Sequence, residues 1–122
     1  MKREEIKSYK DACKVIGRKP RTYKDKHLNL YEQLSTIIAA LNFISNGNKP
    51  WTPKFDYYYI YSWLYREDEY NKTAGLFHLN SYRGLGSSSA GVGASLKIKE
   101  REDGNYIMEN FEELLQDWFW GD

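Results

Sequence analysis

The chain has one cysteine, Cys13, two histidines, His27 and His78, and three prolines. A lone cysteine excludes an intramolecular disulfide and any zinc site built on several thiolates. The two histidines belong to no HExxH or CxxC type of spacing, which argues against a catalytic metal, and no serine or cysteine nucleophile is marked by an elbow motif. No run approaches the roughly 18 apolar residues that a membrane span needs, and the N-terminus shows no apolar core of a signal peptide. A cytoplasmic protein is the expectation. The sequon Asn71-Lys72-Thr73 then reads as chance, because glycosylation requires secretion. An excess of charge of one sign is also missing, since the net charge is only +1.

That near-neutrality hides a polarised chain. Residues 1–27 hold ten Lys/Arg against four Asp/Glu, whereas residues 100–122 hold one Arg against eight acids, a balance of +6 against −7. Three readings stay open: a basic arm for phosphates, two ends that attract one another within the fold or between subunits, or solvated faces. Valine is scarce while aromatics make up 16% of the residues, so the core must use rings whose hydroxyl or indole groups need partners.

Ser8-Tyr9-Lys10-Asp11 has the form of a capping box and Gly17 can supply a left-handed C-cap, which predicts a short helix over about 8–16. Its apolar positions Tyr9, Ala12, Cys13 and Ile16 place Cys13 in a core. Residues 18–27 are basic and aperiodic and read as a linker. Leu30, Leu34, Ile37, Ile38, Leu41 and Ile44 form one stripe, predicting a helix from about Leu28 to Ser45 that Asn46-Gly47 ends. The prolines of NKPWTPKF force an extended path, with Trp51 pinning it to the core.

The most committed stretch is Phe55 to Arg66. Phe55, Tyr57, Tyr59, Tyr61, Trp63 and Tyr65 alternate, so as a strand they share one face, with Tyr58, Ile60 and Leu64 on the other. A second strand is expected at 76–82. A Gly/Ser-rich loop follows over 83–93, then a third strand at about 92–99, with Val92, Ala94, Leu96 and Ile98 inward and Lys97 and Lys99 guarding an edge. A last helix is expected from Asp103 or Gly104 to about Phe119, buried through Tyr106, Ile107, Phe111, Leu114, Leu115 and Trp118. The expected fold is a single α+β domain over 1–122, a three-stranded antiparallel meander packed against about three helices, in the order helix-helix-strand-strand-strand-helix. Residues 1–27 form its basic N-terminal helix and linker.

The glycines between Gly84 and Gly93 lead into a strand and lack a Gly-Lys-Ser/Thr, so they do not make a phosphate cradle. Glu109, Glu113 and Asp117 share a helical stripe that reads as a solvated acidic face rather than a catalytic pair. No enzyme, cofactor, metal or small-molecule substrate is inferred. The ring-bearing strand face admits three roles. It is core, or a protein interface, or a platform for stacking single-stranded bases beside Lys54, Arg66, Arg83, Lys97 and Lys99. Trp118, Phe119 and Trp120 cannot all turn inward on one helix, leaving a ring for a partner. The candidate interaction surface is therefore Tyr57, Tyr59, Tyr61, Trp63, Arg83, Trp118 and Trp120.

Several stretches are similar to a known group. IKSYKDACKVIGRKP, YEQLSTIIAALN, KPWTPKFDYYY and GVGASLKIKEREDGNYIMENFEELLQDWF resemble a family of small uncharacterised proteins of Bacteroides-type phages and prophages. Ala94 and Ser95 stand where that group usually has Ser and Arg, so no role of that arginine carries over. The resemblance implies a host-cytoplasmic or virion context and adds no catalytic residue. The expected function is a non-enzymatic phage or mobile-element binding protein acting through protein contacts, as an accessory, assembly or host-targeting factor. The partner is another protein or a second copy, with no membrane. The alternative is single-stranded nucleic-acid binding by the aromatic sheet face and the basic N-terminal segment.

Overall fold

The structure, a computed structural model, describes residues 2–52, 57–62, 77–82 and 96–120. Helix α1 spans Tyr9–Ile16. The Ser8 hydroxyl accepts from the Asp11 amide at 3.2 Å, while the Asp11 carboxylate reaches back to the Lys7 amide at 3.0 Å. At the other end Arg18 N bonds Cys13 O at 2.8 Å and Gly17 N bonds Lys14 O at 3.3 Å. This closure needs a left-handed residue, and Gly17 has φ +67°. Cys13 is buried.

Helix α2, Lys26–Ser45, starts two residues before the expected Leu28 because Asp25 caps it, accepting from Leu28 N at 2.9 Å. The body of α2 is enclosed, since every residue from 34 to 42 except Ala39 is buried. Around it gather Ile6, Ala12, Ile98, Ile107 and Leu115, all within 1% of full burial and each stabilising by about 2–3 kcal/mol if an Ile or Leu. So α2 is the central element. Asn46, Gly47 and Asn48 turn the chain out of it, with Asn48 N on Phe43 O at 2.9 Å.

Strands β1, Tyr57–Ser62, and β2, Phe77–Tyr82, pair antiparallel with Tyr57 opposite Tyr82 and Ser62 opposite Phe77. Two more helices follow, α3 over Arg101–Asn110 and α4 over Glu112–Trp120.

The expected fold class is overturned. The fold is mostly helical, four α-helices with α2 at the centre, and no three-stranded meander exists among the described residues. Of the residues expected as a third strand, 96–99 are described, and among them there is a single bridge at Ile98, made to β1 rather than to β2. Tyr58 N bonds Ile98 O and Ile98 N bonds Tyr58 O, each at 2.8 Å. Neighbouring residues of an extended chain point their backbone groups the other way. Here Lys97 O and Lys99 N meet not a strand but the Asn42 side chain of α2, which donates to the first and accepts from the second, both at 2.9 Å. One helical amide thus takes the place of a strand neighbour. On the C-terminal side the chain enters α3 two residues after Lys99, which leaves no room for a ladder there.

The last helix is also two. Phe111, at φ −127° and ψ 37°, leaves the helical region, closing α3 by donating to Ile107 O at 2.8 Å and opening α4 by accepting from Leu115 N at 3.0 Å. The break seats both Ile107 and Leu115 in the core. It also divides the carboxylate stripe: Glu109 lies on α3 and Glu113 and Asp117 on α4, all exposed.

Candidate protein-interaction surface

Two buried carboxylates fix the frame on which the surface is carried. Glu32, 5% exposed, accepts from Tyr9 Oη at 2.8 Å, Arg18 Nη2 at 3.0 Å and Thr36 Oγ1 at 3.3 Å. Tyr9 Oη in turn accepts from Arg21 N at 2.8 Å. Burial, with the Glu32 charge adding, holds the Tyr9 hydroxyl in its neutral form and pushes its pKa up to about 12. Asp103, fully buried, takes Arg3 Nε at 2.8 Å and the Ser45 hydroxyl. That hydrogen bond holds the Arg3 guanidinium above its ordinary pKa. Tyr106 Oη donates to Ile6 O at 2.7 Å, tying the same N-terminal segment to α3, and its own pKa is raised by burial. A buried carboxylate survives only with such partners, so both are structural anchors.

The linker 18–25 leads along this frame into the first turn of α2, where rings gather. His27 stacks on Trp118 of α4 with centroids 4.5 Å apart and planes at 19°. Tyr31, one turn along, meets the same indole at 5.8 Å. Tyr23 N bonds the Asn29 side chain at 3.1 Å, folding the linker back onto α2. Tyr23, 38% exposed, and Leu28, 52% exposed, are the large hydrophobic residues that stand exposed among the described residues. Lys19, Arg21 and Lys24 are exposed beside them. The Tyr23 hydroxyl raises the pKa of the Arg21 guanidinium. Asp25, the one acid in the segment, is turned to the backbone as the cap of α2.

Of the residues singled out from the sequence, the side chains of Tyr57, Tyr59 and Trp118 are described. Tyr57 is only 3% exposed, with the Lys97 ammonium 4.4 Å from its ring centroid, and Tyr59 is half-buried at 6.2 Å from it. On the opposite face Tyr58 and Ile60 pack toward the core. Tyr61 is placed in β1 by its backbone, opposite His78, and Trp120 is the last residue of α4; the side chains of both lie outside the described residues. Trp63 and Arg83 lie outside them altogether, as do the Gly/Ser loop and residues 92–95 of the stretch expected as a strand. Trp118 is half-buried and committed to His27. Tyr23, Leu28 and His27 were missed, although one signal was present: Leu28 falls off the stripe of its helix and stands among lysines.

A concavity lies where the start of α1, the middle of α2 and the α3–α4 break meet. Lys7, Gln33, Asn110 and Glu113 rim it, with Ile37, Phe111 and Leu114 below. Among the described residues no three His, Cys, Asp or Glu side chains converge as metal ligands. No helix among them is long and apolar enough to cross a membrane. No protein-family model matches the chain, and neither curated proteins nor solved structures give a match.

Proposed function

We propose that the chain is a non-enzymatic binding protein of phage or mobile-element type that works through contacts with protein. The observation that carries this reading is the exposed pair Tyr23 and Leu28 beside the His27–Trp118 stack, an apolar centre within a polar rim. Interfaces are built this way, with a few aromatic and aliphatic anchors that desolvate and a rim that does not. The phage context is supported by the resemblance of the α1, α2 and C-terminal segments to the phage and prophage group.

Single-stranded nucleic acid is the second reading, favoured by exposed Lys19, Arg21 and Lys24 around Tyr23. Burial of Tyr57 counts against the sheet as its stacking platform. The deciding experiment compares the wild-type chain with Leu28→Glu, whose helical content is first shown to match. Each is challenged with phage-particle and host proteins and with a labelled single strand of about thirty nucleotides at low and moderate salt. Protein retained by the wild type and lost by the variant supports the proposal. A salt-sensitive complex with the strand, or protein retention indifferent to Leu28→Glu, overturns it.

A further inference from the structure

The concavity between α1, α2 and the α3–α4 break gathers polar groups that the fold itself leaves unused. Its volume is about 470 Å³, within the roughly 300–1,000 Å³ of ligand-binding hollows. The Gln33 side-chain amide, the Lys7 ammonium and the Glu113 carboxylate line it without a hydrogen bond or ion pair among the described residues. Asn110 donates its Nδ2 to Tyr106 O at 3.0 Å, which leaves its Oδ1 to accept. Phe111 and Leu114 also line the concavity and are only half-buried, although both pack against the core cluster. Apolar surface with a few convergent polar groups is what a binding hollow presents.

The chemistry of the occupant follows from these groups. A side-chain amide offers both a donor and an acceptor, the complement of an extended backbone. The same helix already shows the match, since Asn42 of α2 donates to Lys97 O and accepts from Lys99 N. Charge adds a second requirement. Glu112 and Glu113 line the concavity against Lys7, and Lys7 also lines an adjoining hollow with Lys2, Glu4, Glu5 and Asp11, so carboxylates outnumber ammonium groups in both. We infer that the concavity takes an extended segment of a partner protein, with an apolar side chain on Phe111 and Leu114, its backbone on the Gln33 amide and a basic side chain toward Glu113. Side chains two residues apart in an extended segment share a face, so the apolar and basic residues are spaced i, i+2. A nucleic acid meets neither requirement, because its phosphates would face the carboxylates.

The inference rests on the protein-contact reading in taking the occupant to be polypeptide, but it uses neither Tyr23 nor Leu28 and is decided by its own measurement. The probe is a capped pentapeptide, Arg-Gly-Phe-Gly-Arg, which offers the spacing in either chain direction. Amide chemical shifts of the full chain are followed as it is added, and saturable shifts are expected at Gln33 and at residues 110–114 by millimolar peptide. Gln33→Ala, a change that favours the helix, weakens binding about fivefold through the lost amide bonds. Glu113→Gln weakens it about threefold, as expected for an exposed pair, and leaves the affinity for Gln-Gly-Phe-Gly-Gln unchanged. Serine in place of the probe's phenylalanine abolishes binding. Shifts that do not saturate or that lie elsewhere, an affinity indifferent to Gln33→Ala, or equal affinity for Asp-Gly-Phe-Gly-Asp overturns the inference. If the chain retains a nucleic-acid strand yet binds the peptide as described, only the Leu28 reading falls; if it captures protein but not the peptide, only this inference falls.

Discussion

Asn42 offers the sharpest test of how the helical core holds the short extended elements. Its side chain is 6% exposed and makes two hydrogen bonds of 2.9 Å, one donated to Lys97 O and one accepted from Lys99 N. Asn42→Ala removes both and leaves a backbone acceptor and donor facing a small cavity. Each bond contributes about 0.5–1.5 kcal/mol net, and Lys97 and Lys99 are half-buried, so water compensates in part; the expected loss is about 1–3 kcal/mol. For a chain of this size that lowers the melting temperature by on the order of 5–10 °C. Asn42→Asp discriminates further. At neutral pH it keeps the bond to Lys99 N but sets a carboxylate oxygen against Lys97 O, so it should be worse than alanine and improve on acidification, when a protonated oxygen can donate again. The assay is urea denaturation at neutral and acidic pH, with amide exchange at Ile98 as the local readout. A loss below about 0.5 kcal/mol for Asn42→Ala, with Ile98 protection unchanged, would refute the claim that this amide stands in for a strand.

Two further outcomes follow from the buried carboxylates. Arg3→Met leaves fully buried Asp103 with the Ser45 hydroxyl as its remaining side-chain partner. Because Arg3 sits at the rim, the expected cost is about 2–3 kcal/mol, toward the low end for breaking a buried pair, and Asp103→Asn in the same chain should recover part of it. Denaturant midpoints of the three variants check this, and equal midpoints for Arg3→Met and wild type would contradict it. For Tyr9, the folded pKa of about 12 lies above the ordinary 10.0, so folding favours the neutral phenol. Its contribution is fully present below pH 10 and is lost as the pH rises through about 12. The stability difference between wild type and Tyr9→Phe should therefore be constant up to about pH 10 and shrink above it. A difference that grows with pH there would show that Glu32 does not face a neutral hydroxyl.

The parts of the fold that were legible are those whose cause is local. Ser8 and Gly17 bound α1 because a cap and a left-handed closure act within four residues, and the stripe from Leu30 to Ile44 is periodic in itself. What escaped was every group whose partner is remote. Asp103 looked like a helix opener and Glu32 carried no signal of its own, since their cations lie 100 and 14 residues away. The alternation ending at Ile98 read as a strand because alternation reports which side chains face inward, not what the backbone bonds to. Asn42 answered that second question from another element, 55 residues upstream of Lys97. The same limit explains why the aromatic stretch looked like the centre of the molecule: rings announce burial more loudly than the alanine, serine and threonine residues that let α2 be enclosed.

Placing α2 at the centre also decides where a surface can form. Its middle is buried apart from Ala39, so its main exposed ground is its first turn, and there the Asp25 carboxylate caps the backbone while Lys19, Arg21 and Lys24 are exposed. A lysine-rich rim around Leu28 costs the monomer nothing and disfavours cationic partners, which is negative selection built into the approach to the helix. Asp117, exposed beside Trp118 on α4, brings one carboxylate to the helix that is stacked on that turn. A sequence with ends of +6 and −7 is thus joined by the Arg3–Asp103 pair in the core and by the His27–Trp118 stack at the surface.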